Sequence, residues 1–145
     1  MKRKKLFTLL LITLIVFASA CNKDDNPVSP ENDIVGTWVL TKLILPDYGN
    51  MEITPQQAGI SATFKMKSDH TFEVTFTDSD GSDTDTGTWS VSNGKITMKS
   101  SSGETQTFDY EISGNKLRIT LQMDLSELGI AGMGNMRVIM EFTKQ

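Results

Sequence analysis

Four aspartates lie close together in the middle of the chain, in the stretch TDSDGSDTDTGTW at residues 77–89. They are Asp78, Asp80, Asp83 and Asp85. Carboxylates at this density can ligate calcium, but an EF-hand loop also requires glycine at its sixth position and glutamate at its twelfth. Counted from Asp78, those positions hold Asp83 and Trp89, so the EF-hand pattern is excluded. We interpret the stretch as the solvated tip of a hairpin, with a freer calcium loop as the alternative.

The residue types that carry nucleophilic or metal catalysis are scarce. His70 is the only histidine and Cys21 the only cysteine, and the sequence contains no CxxC, HExxH or glycine-rich phosphate loop. A catalytic triad needs a histidine held in a cleft by partners from elsewhere in the fold, whereas His70 follows Ser68 and Asp69 in a turn-like stretch. The sequence therefore predicts a protein that is not an enzyme, with no catalytic residues and no cofactor.

The N-terminus predicts export from the cytoplasm. Residues 2–5 are basic, and residues 6–18 are apolar apart from two threonines. This run is shorter than the about 20 residues of a membrane span and ends in small residues, as in a secretory signal peptide, here residues 1–20. A linker with two prolines is predicted over residues 21–33, followed by a single domain over residues 34–145.

Cys21 follows the predicted signal peptide directly, and the stretch Phe17-Ala18-Ser19-Ala20-Cys21 resembles a bacterial lipobox. The resemblance implies that Cys21 carries acyl chains such as palmitate, and several such chains hold a protein firmly on a bilayer. A free thiol is the alternative, since a lone cysteine has no internal disulfide partner. The residues CNKDD at 21–25 resemble the export tag of surface lipoproteins in one Gram-negative phylum. We therefore expect an outer-membrane lipoprotein that is surface-exposed rather than periplasmic-facing.

The charge balance excludes two classes of partner. After the four basic residues of the signal peptide are removed, ten Lys and Arg remain against 18 Asp and Glu. A nucleic-acid-binding domain needs a basic face for the phosphates, and electrostatic docking on anionic lipid needs a basic patch. Neither is expected for a mature chain with this acidic excess.

Alternation of apolar and polar residues, interrupted by turn signals such as Asn93-Gly94, predicts eight strands. They cover residues 34–45, 60–67, 71–77, 87–91, 95–98, 107–112, 116–123 and 137–142, the fourth beginning near Thr86. Short sequential hairpins predict an all-β fold, an eight-stranded antiparallel up-and-down meander that closes into a barrel. The long connections 46–59, with a helical turn near 54–58, and 124–136 are candidate rim loops or lids.

A family resemblance accompanies this pattern. Gly36-Thr37-Trp38 is similar to the GxW signature of lipocalins, and the domain from Ile34 to Lys144 resembles the short lipocalin-like domains of bacterial lipoproteins. The resemblance implies that Trp38 plugs the closed end of the barrel and that Arg118 or Arg137 stacks on its ring. We interpret the second Gly-Thr-Trp, at 87–89, as favourable strand chemistry rather than a duplication.

The residues predicted to face the barrel interior are large and apolar. An eight-stranded barrel is either filled by its own side chains or holds one small ligand. The hypothetical ligand-lining residues are Trp38, Phe64, Met66, Phe72, Phe76, Trp89, Met98, Phe108, Tyr110, Leu121 and Met140. Together with the resemblance, they predict a monomer that binds a small hydrophobic ligand non-covalently and contacts the lipid bilayer through Cys21. The alternative is a solid barrel that binds a protein or glycan through its loops, for example the acidic loop at 78–85.

Overall fold

The computed structural model describes residues 30–124 and 134–145. The predicted signal peptide at 1–20, the predicted lipidation site Cys21 and residues 125–133 of the long connection lie outside the described residues. Within the described ranges, no helix is both long enough and apolar enough to cross a membrane.

The described chain contains nine β-strands, two short α-helices and one 3₁₀ turn. In chain order they are α1 (Pro30–Ile34), β1 (Gly36–Leu45), the 3₁₀ turn (Pro46–Tyr48), β2 (Met51–Ile53), α2 (Pro55–Ala58), β3 (Ser61–Met66), β4 (Thr71–Asp78), β5 (Gly81–Ser92), β6 (Lys95–Ser100), β7 (Thr105–Ser113), β8 (Lys116–Asp124) and β9 (Asn135–Lys144). The predicted helical turn is α2, whose N-cap Thr54 forms a capping box with Gln57. Residues 30–33, at the end of the predicted linker, belong to α1.

Eight of these strands close into an antiparallel barrel. From β3 to β9 each strand pairs with the next along the chain, and β1 pairs with both β3 and β9. The predicted eight-stranded meander barrel is thereby confirmed. The short strand β2, which pairs with the end of β1, was not predicted because three residues are too few for alternation to be recognised.

Apolar alternation places one continuous core inside the barrel. Along β1 a bulge between Leu40 and Lys42 shifts the register, so that Leu40 lies opposite Phe142 and Leu43 opposite Met140. The extra residue keeps both leucines in the buried row while the strand bends around the barrel. Burial of this row is the main contribution to the stability of the fold.

The strand order defines two ends of the barrel. The closed end carries α1, the start of β1 and the turns β3–β4, β5–β6 and β7–β8. The open end carries the 46–60 connection and the turns β4–β5 and β6–β7. The β4–β5 hairpin is longer than its neighbour, because β5 pairs with β6 only from Gly87 onward.

Trp38 fills the closed end, as the sequence predicts. Its side chain is fully buried, and its Nε1 donates a 2.7 Å hydrogen bond to the carbonyl oxygen of Ile34 in α1. The cation over its ring is Lys144, whose Nζ lies 5.1 Å from the ring centroid and 3.2 Å from the carbonyl oxygen of Asp33. The prediction of Arg118 or Arg137 is wrong, because the β1–β9 register places Lys144 directly opposite Trp38.

The two arginines bind acids on the outer wall instead. Arg118 forms an ion pair with Glu141, and Arg137 Nη2 lies 3.3 Å from Asp47 Oδ1. The closed end therefore joins the first strand, the last strand and α1 through the Trp38 indole and the Lys144 ammonium group.

Replacing Lys144 with methionine tests this contact, since methionine keeps an unbranched apolar stem and removes the charge. We expect the free energy of unfolding to fall by about 1 kcal/mol, from loss of the cation–π contact and of the hydrogen bond to Asp33. Lys99→Met, at an exposed position, is the control and should change it by less than about 0.5 kcal/mol. Equal losses in urea denaturation of the two variants would show that the ammonium group over Trp38 contributes nothing.

The second Gly-Thr-Trp builds a second plug at the closed end. Trp89 is buried, and its Nε1 lies 3.2 Å from the carbonyl oxygen of Lys67 and 3.1 Å from that of Thr71. These carbonyls flank the β3–β4 turn, and the His70 ring from that turn packs on the indole with centroids 5.1 Å apart. Gly87, two residues earlier, lies where the long hairpin leaves the barrel wall.

Candidate functional site

A cavity of about 140 Å³ opens inside the barrel toward the open end. Its walls are mostly apolar and come from strands β3 to β7. The lining residues are Phe64, Phe72, Val74, Asp85, Met98, Ser100, Glu104, Gln106 and Phe108.

The strand registers explain why these side chains meet. Residues directly opposite each other in an antiparallel pair point to the same face of the sheet. Phe64 lies opposite Val74, and Val74 lies opposite Asp85 across β4 and β5. Likewise Met98 in β6 lies opposite Gln106 in β7. Val74 and Met98 of the apolar wall are therefore each continued by a polar side chain at the rim.

Below the cavity the barrel is packed solid. Phe64 contacts the buried Phe142 edge to face, with ring centroids 4.8 Å apart. Trp38, Trp89 and Met66 fill the closed end and are each at most 3% exposed. In the described part of the barrel, water and ligand can therefore reach the cavity only from the open end.

Asp85 is held at the rim by two hydrogen bonds. Its Oδ1 accepts hydrogen bonds from Ser100 Oγ at 2.6 Å and from the backbone N–H of Thr86 at 2.8 Å. Glu104 follows in the β6–β7 turn and lines the same cavity. The rim thus presents two carboxylates, one of which is held in place by the strand end of β6.

The acidic stretch forms the exposed end of the β4–β5 hairpin, as the sequence predicts, but the strand in it is longer than predicted. Strand β5 begins at Gly81 rather than near Thr86, so Asp83 and Asp85 lie within a strand. Only the turn at 79–80 connects β4 to β5, and there Asp78 Oδ1 accepts from the backbone N–H groups of Asp80 and Gly81. In residues 30–124 and 134–145, no three His, Cys, Asp or Glu side chains are grouped so as to hold a metal ion.

Two other depressions are larger but differ in kind. One of about 530 Å³ is an open groove walled largely by outward-facing polar side chains, including Lys67, Thr86, Thr88 and Lys99. The other, about 330 Å³, lies at the hairpin tip around Phe76 and is otherwise polar. The groove is more open than the barrel cavity and the tip depression is more polar, whereas a concave and mostly apolar lining characterises small-molecule sites.

The predicted lining residues divide into four groups. Phe64, Phe72, Met98 and Phe108 line the cavity, and Trp38, Met66 and Trp89 form the packed closed end. Phe76 lies at the hairpin tip, while Tyr110, Leu121 and Met140 belong to the core cluster without lining the cavity.

Burial, reinforced by Asp33 and Glu31 of α1, raises the pKa of Tyr110, as expected for a phenol near the closed end.

Sequence reasoning missed the polar half of the site, namely Ser100, Glu104 and Gln106, and assigned Asp85 to a solvated turn. The available signal was the hairpin register, because the turn at 79–80 places Asp85 opposite the inward-facing Val74. His70, by contrast, lies exposed in a turn at the closed end, as predicted.

Comparisons with known proteins agree with this architecture. The sequence profile of the lipocalin-like domain family matches residues 34–119. A crystal structure of a lipocalin-like protein from Bacteroides uniformis is 17% identical, with a TM-score of 0.50, over 78% of this chain and 99% of that chain. A protein from Bacteroides eggerthii is 14% identical, with a TM-score of 0.48, over 77% of this chain and 98% of that one. No curated protein sequence matches the chain significantly.

Proposed function

Because the chain belongs to the lipocalin-like domain family, we propose that it binds a small, largely apolar molecule non-covalently inside the barrel. The observation that carries this proposal is the cavity of about 140 Å³ between Phe64, Phe72, Val74, Met98 and Phe108. Apolar walls with a few convergent polar groups are typical of ligand sites. The presence of this cavity also argues against the alternative, a barrel whose interior is completely filled by its own side chains.

The size of the cavity limits the ligand. Pockets for drug-sized molecules measure roughly 300–1,000 Å³. An apolar cavity of about 150 Å³ holds a single benzene ring. At about 140 Å³ the cavity accommodates one ring or a short branched chain, and the rest of a larger ligand would extend past the rim.

Binding rather than catalysis is supported by the chemistry of the lining. The side chains around the cavity include no histidine, lysine or cysteine within the described residues. His70, the only histidine, lies at the opposite end of the barrel. Asp85 accepts a hydrogen bond from the Ser100 hydroxyl, but no histidine or lysine of the described residues lines the cavity to act with this pair.

The proposal includes attachment to the outer membrane through acylated Cys21, with the domain at the cell surface. It is supported by the sequence of residues 1–25. Since α1 begins at Pro30 and packs at the closed end, a lipid tether would join the barrel there. The open end would then lie on the side away from the tether.

The test of binding is to fill the cavity. Val74→Phe adds a ring at a half-buried lining position and should weaken binding of the probe benzyl alcohol at least about tenfold, measured by NMR titration. Thr75→Phe adds the same ring to the outer face of the same strand, opposite Thr84, and is the matched control. Equal affinities in both variants, or no binding to the unmodified protein, would contradict the proposed site.

A further inference from the structure

The charged side chains at the rim of the cavity that we propose as the ligand site are all acidic. Its polar lining consists of the carboxylates of Asp85 and Glu104 together with Ser100 and Gln106. Among the described residues, neither carboxylate has a lysine, arginine or histidine nitrogen within ion-pair distance, 4.0 Å. Negative charge at the mouth is therefore not neutralised from within the described chain.

The basic side chains nearby are engaged elsewhere. On the outer wall Lys65 binds Glu73 at 2.6 Å, and Lys42 binds Glu52 at 2.8 Å. At the open end Arg137 binds Asp47. Lys99, on the same strand as Met98, points to the opposite face, as its pairing with Thr88 indicates. A fatty-acid carboxylate entering the cavity would consequently meet two carboxylates and no cation of the described residues.

From this geometry, and resting on the proposed function, we propose that the cavity selects ligands that join a ring-sized apolar group to a cationic, ammonium-type group. The apolar part would lie between Phe64, Phe72 and Phe108, and the cation at Asp85 and Glu104. The Ser100 hydroxyl and the Thr86 N–H both bind Oδ1 of Asp85, which orients the carboxylate before a ligand arrives. Near a partly enclosed apolar wall, the attraction between opposite charges is stronger than in bulk water.

The experiment compares three probes of nearly equal shape and different charge: benzylamine, benzyl alcohol and benzoate. NMR titration of the unmodified protein at low ionic strength is expected to give benzylamine a dissociation constant about tenfold or more below that of benzoate, with benzyl alcohol between them. The preference should shrink with added salt, because salt screens charges at an open rim.

The double variant Asp85→Asn/Glu104→Gln removes the two rim charges with little change of shape. The affinities for benzylamine and benzoate should converge to within about twofold, while that for benzyl alcohol stays unchanged and reports an intact cavity. The control Asp109→Asn/Glu111→Gln removes two charges from the exposed outer side of β7 and should keep the preference.

The outcomes separate the two proposals. Equal affinity of the unmodified protein for all three probes would overturn the charge selection and leave small-molecule binding standing. A preference that survives in the double variant would also overturn it, because another group would then be responsible. Absence of binding by any probe would reject the proposed function and this inference together.

Discussion

Replacing Gly87 with alanine is expected to lower the free energy of unfolding by about 3 kcal/mol. A Cβ at this position would lie 2.0 Å from the backbone oxygen of Lys99 and 2.9 Å from both the Lys99 carbonyl carbon and Phe72 Cε1. Because the nearest atom belongs to the backbone of the adjacent strand, no side-chain rotation relieves the clash. The β5–β6 pairing would have to shift at the point where the long hairpin leaves the wall.

The matched control is Gly134→Ala. A Cβ there meets no heavy atom of the described residues within 4 Å, and the backbone is not in the left-handed region. We expect its unfolding free energy to change by less than about 0.5 kcal/mol. Both variants are measured by urea denaturation with a common slope. If Gly87→Ala lies within about 1 kcal/mol of the control, the close approach to Lys99 is not a constraint on the fold.

This glycine also marks the boundary of what the sequence could predict. The barrel itself was predictable, because alternation shows in almost every strand and the Asn93-Gly94 turn has the positive φ values, 52° and 72°, that this dipeptide favours. The interior was predictable for the same reason, since a strand with one apolar face has only one orientation in a closed barrel. The signature tryptophan at 38 therefore appeared at the closed end, as expected.

The rim was not predictable from alternation. Asp83 and Asp85 lie on the same sheet face as Phe76 and Val74, yet the stretch from Gly81 to Thr86 is exposed and polar on both faces. A strand without an apolar face gives no period to detect, so it resembles a loop. Only the pairing with β4 shows which side chains of this stretch share a face with Val74 and Phe76. That pairing is known from the three-dimensional structure and not from the sequence pattern.

Long-range register also explains why the residue over the Trp38 ring was predicted wrongly. Lys144 and Trp38 are paired by the contact between the first and last strands that closes the barrel. The resemblance to lipocalins implies a cationic residue late in the chain, but it does not show which position of β9 lies opposite which position of β1. A one-residue change in register would turn a different side chain toward the indole.

The outer wall contains a cluster of charged side chains around Glu141 in β9, which the alternation of apolar and polar residues does not predict. Glu141 faces away from the core, between Arg118 and Lys42 of the neighbouring strands, yet its side chain is only 3% exposed. Lys116 Nζ lies 2.9 Å from Oε1, and Arg118 Nε and Nη2 each lie 2.9 Å from Oε2. The two basic side chains cover the carboxylate and supply its hydrogen bonds.

These contacts set the direction of its titration. The hydrogen bond from Lys116 is the largest cause that lowers the pKa of Glu141; burial opposes it, and the Arg118 hydrogen bond adds to the lowering. A carboxyl whose pKa is lower in the folded than in the unfolded chain stabilises the fold fully above its unfolded pKa, about 4.3. That stabilisation is lost as the pH falls through the lower, folded pKa.

Glu141→Gln should therefore lower the free energy of unfolding by about 2 kcal/mol at pH 7, since it removes a covered charge and leaves Lys116 and Arg118 without their anion. The difference from the unmodified protein should shrink as the pH falls below about 4, where the unmodified carboxyl also becomes neutral. The matched control is Glu111→Gln. Glu111 is an exposed acid in β7 that lies opposite Arg118, and its replacement should lower the free energy of unfolding by less than about 0.5 kcal/mol. Chemical denaturation from pH 7 to pH 3 measures both. A Glu141→Gln deficit that stays constant over this range would mean that side-chain packing, rather than the ionised carboxylate, accounts for the loss.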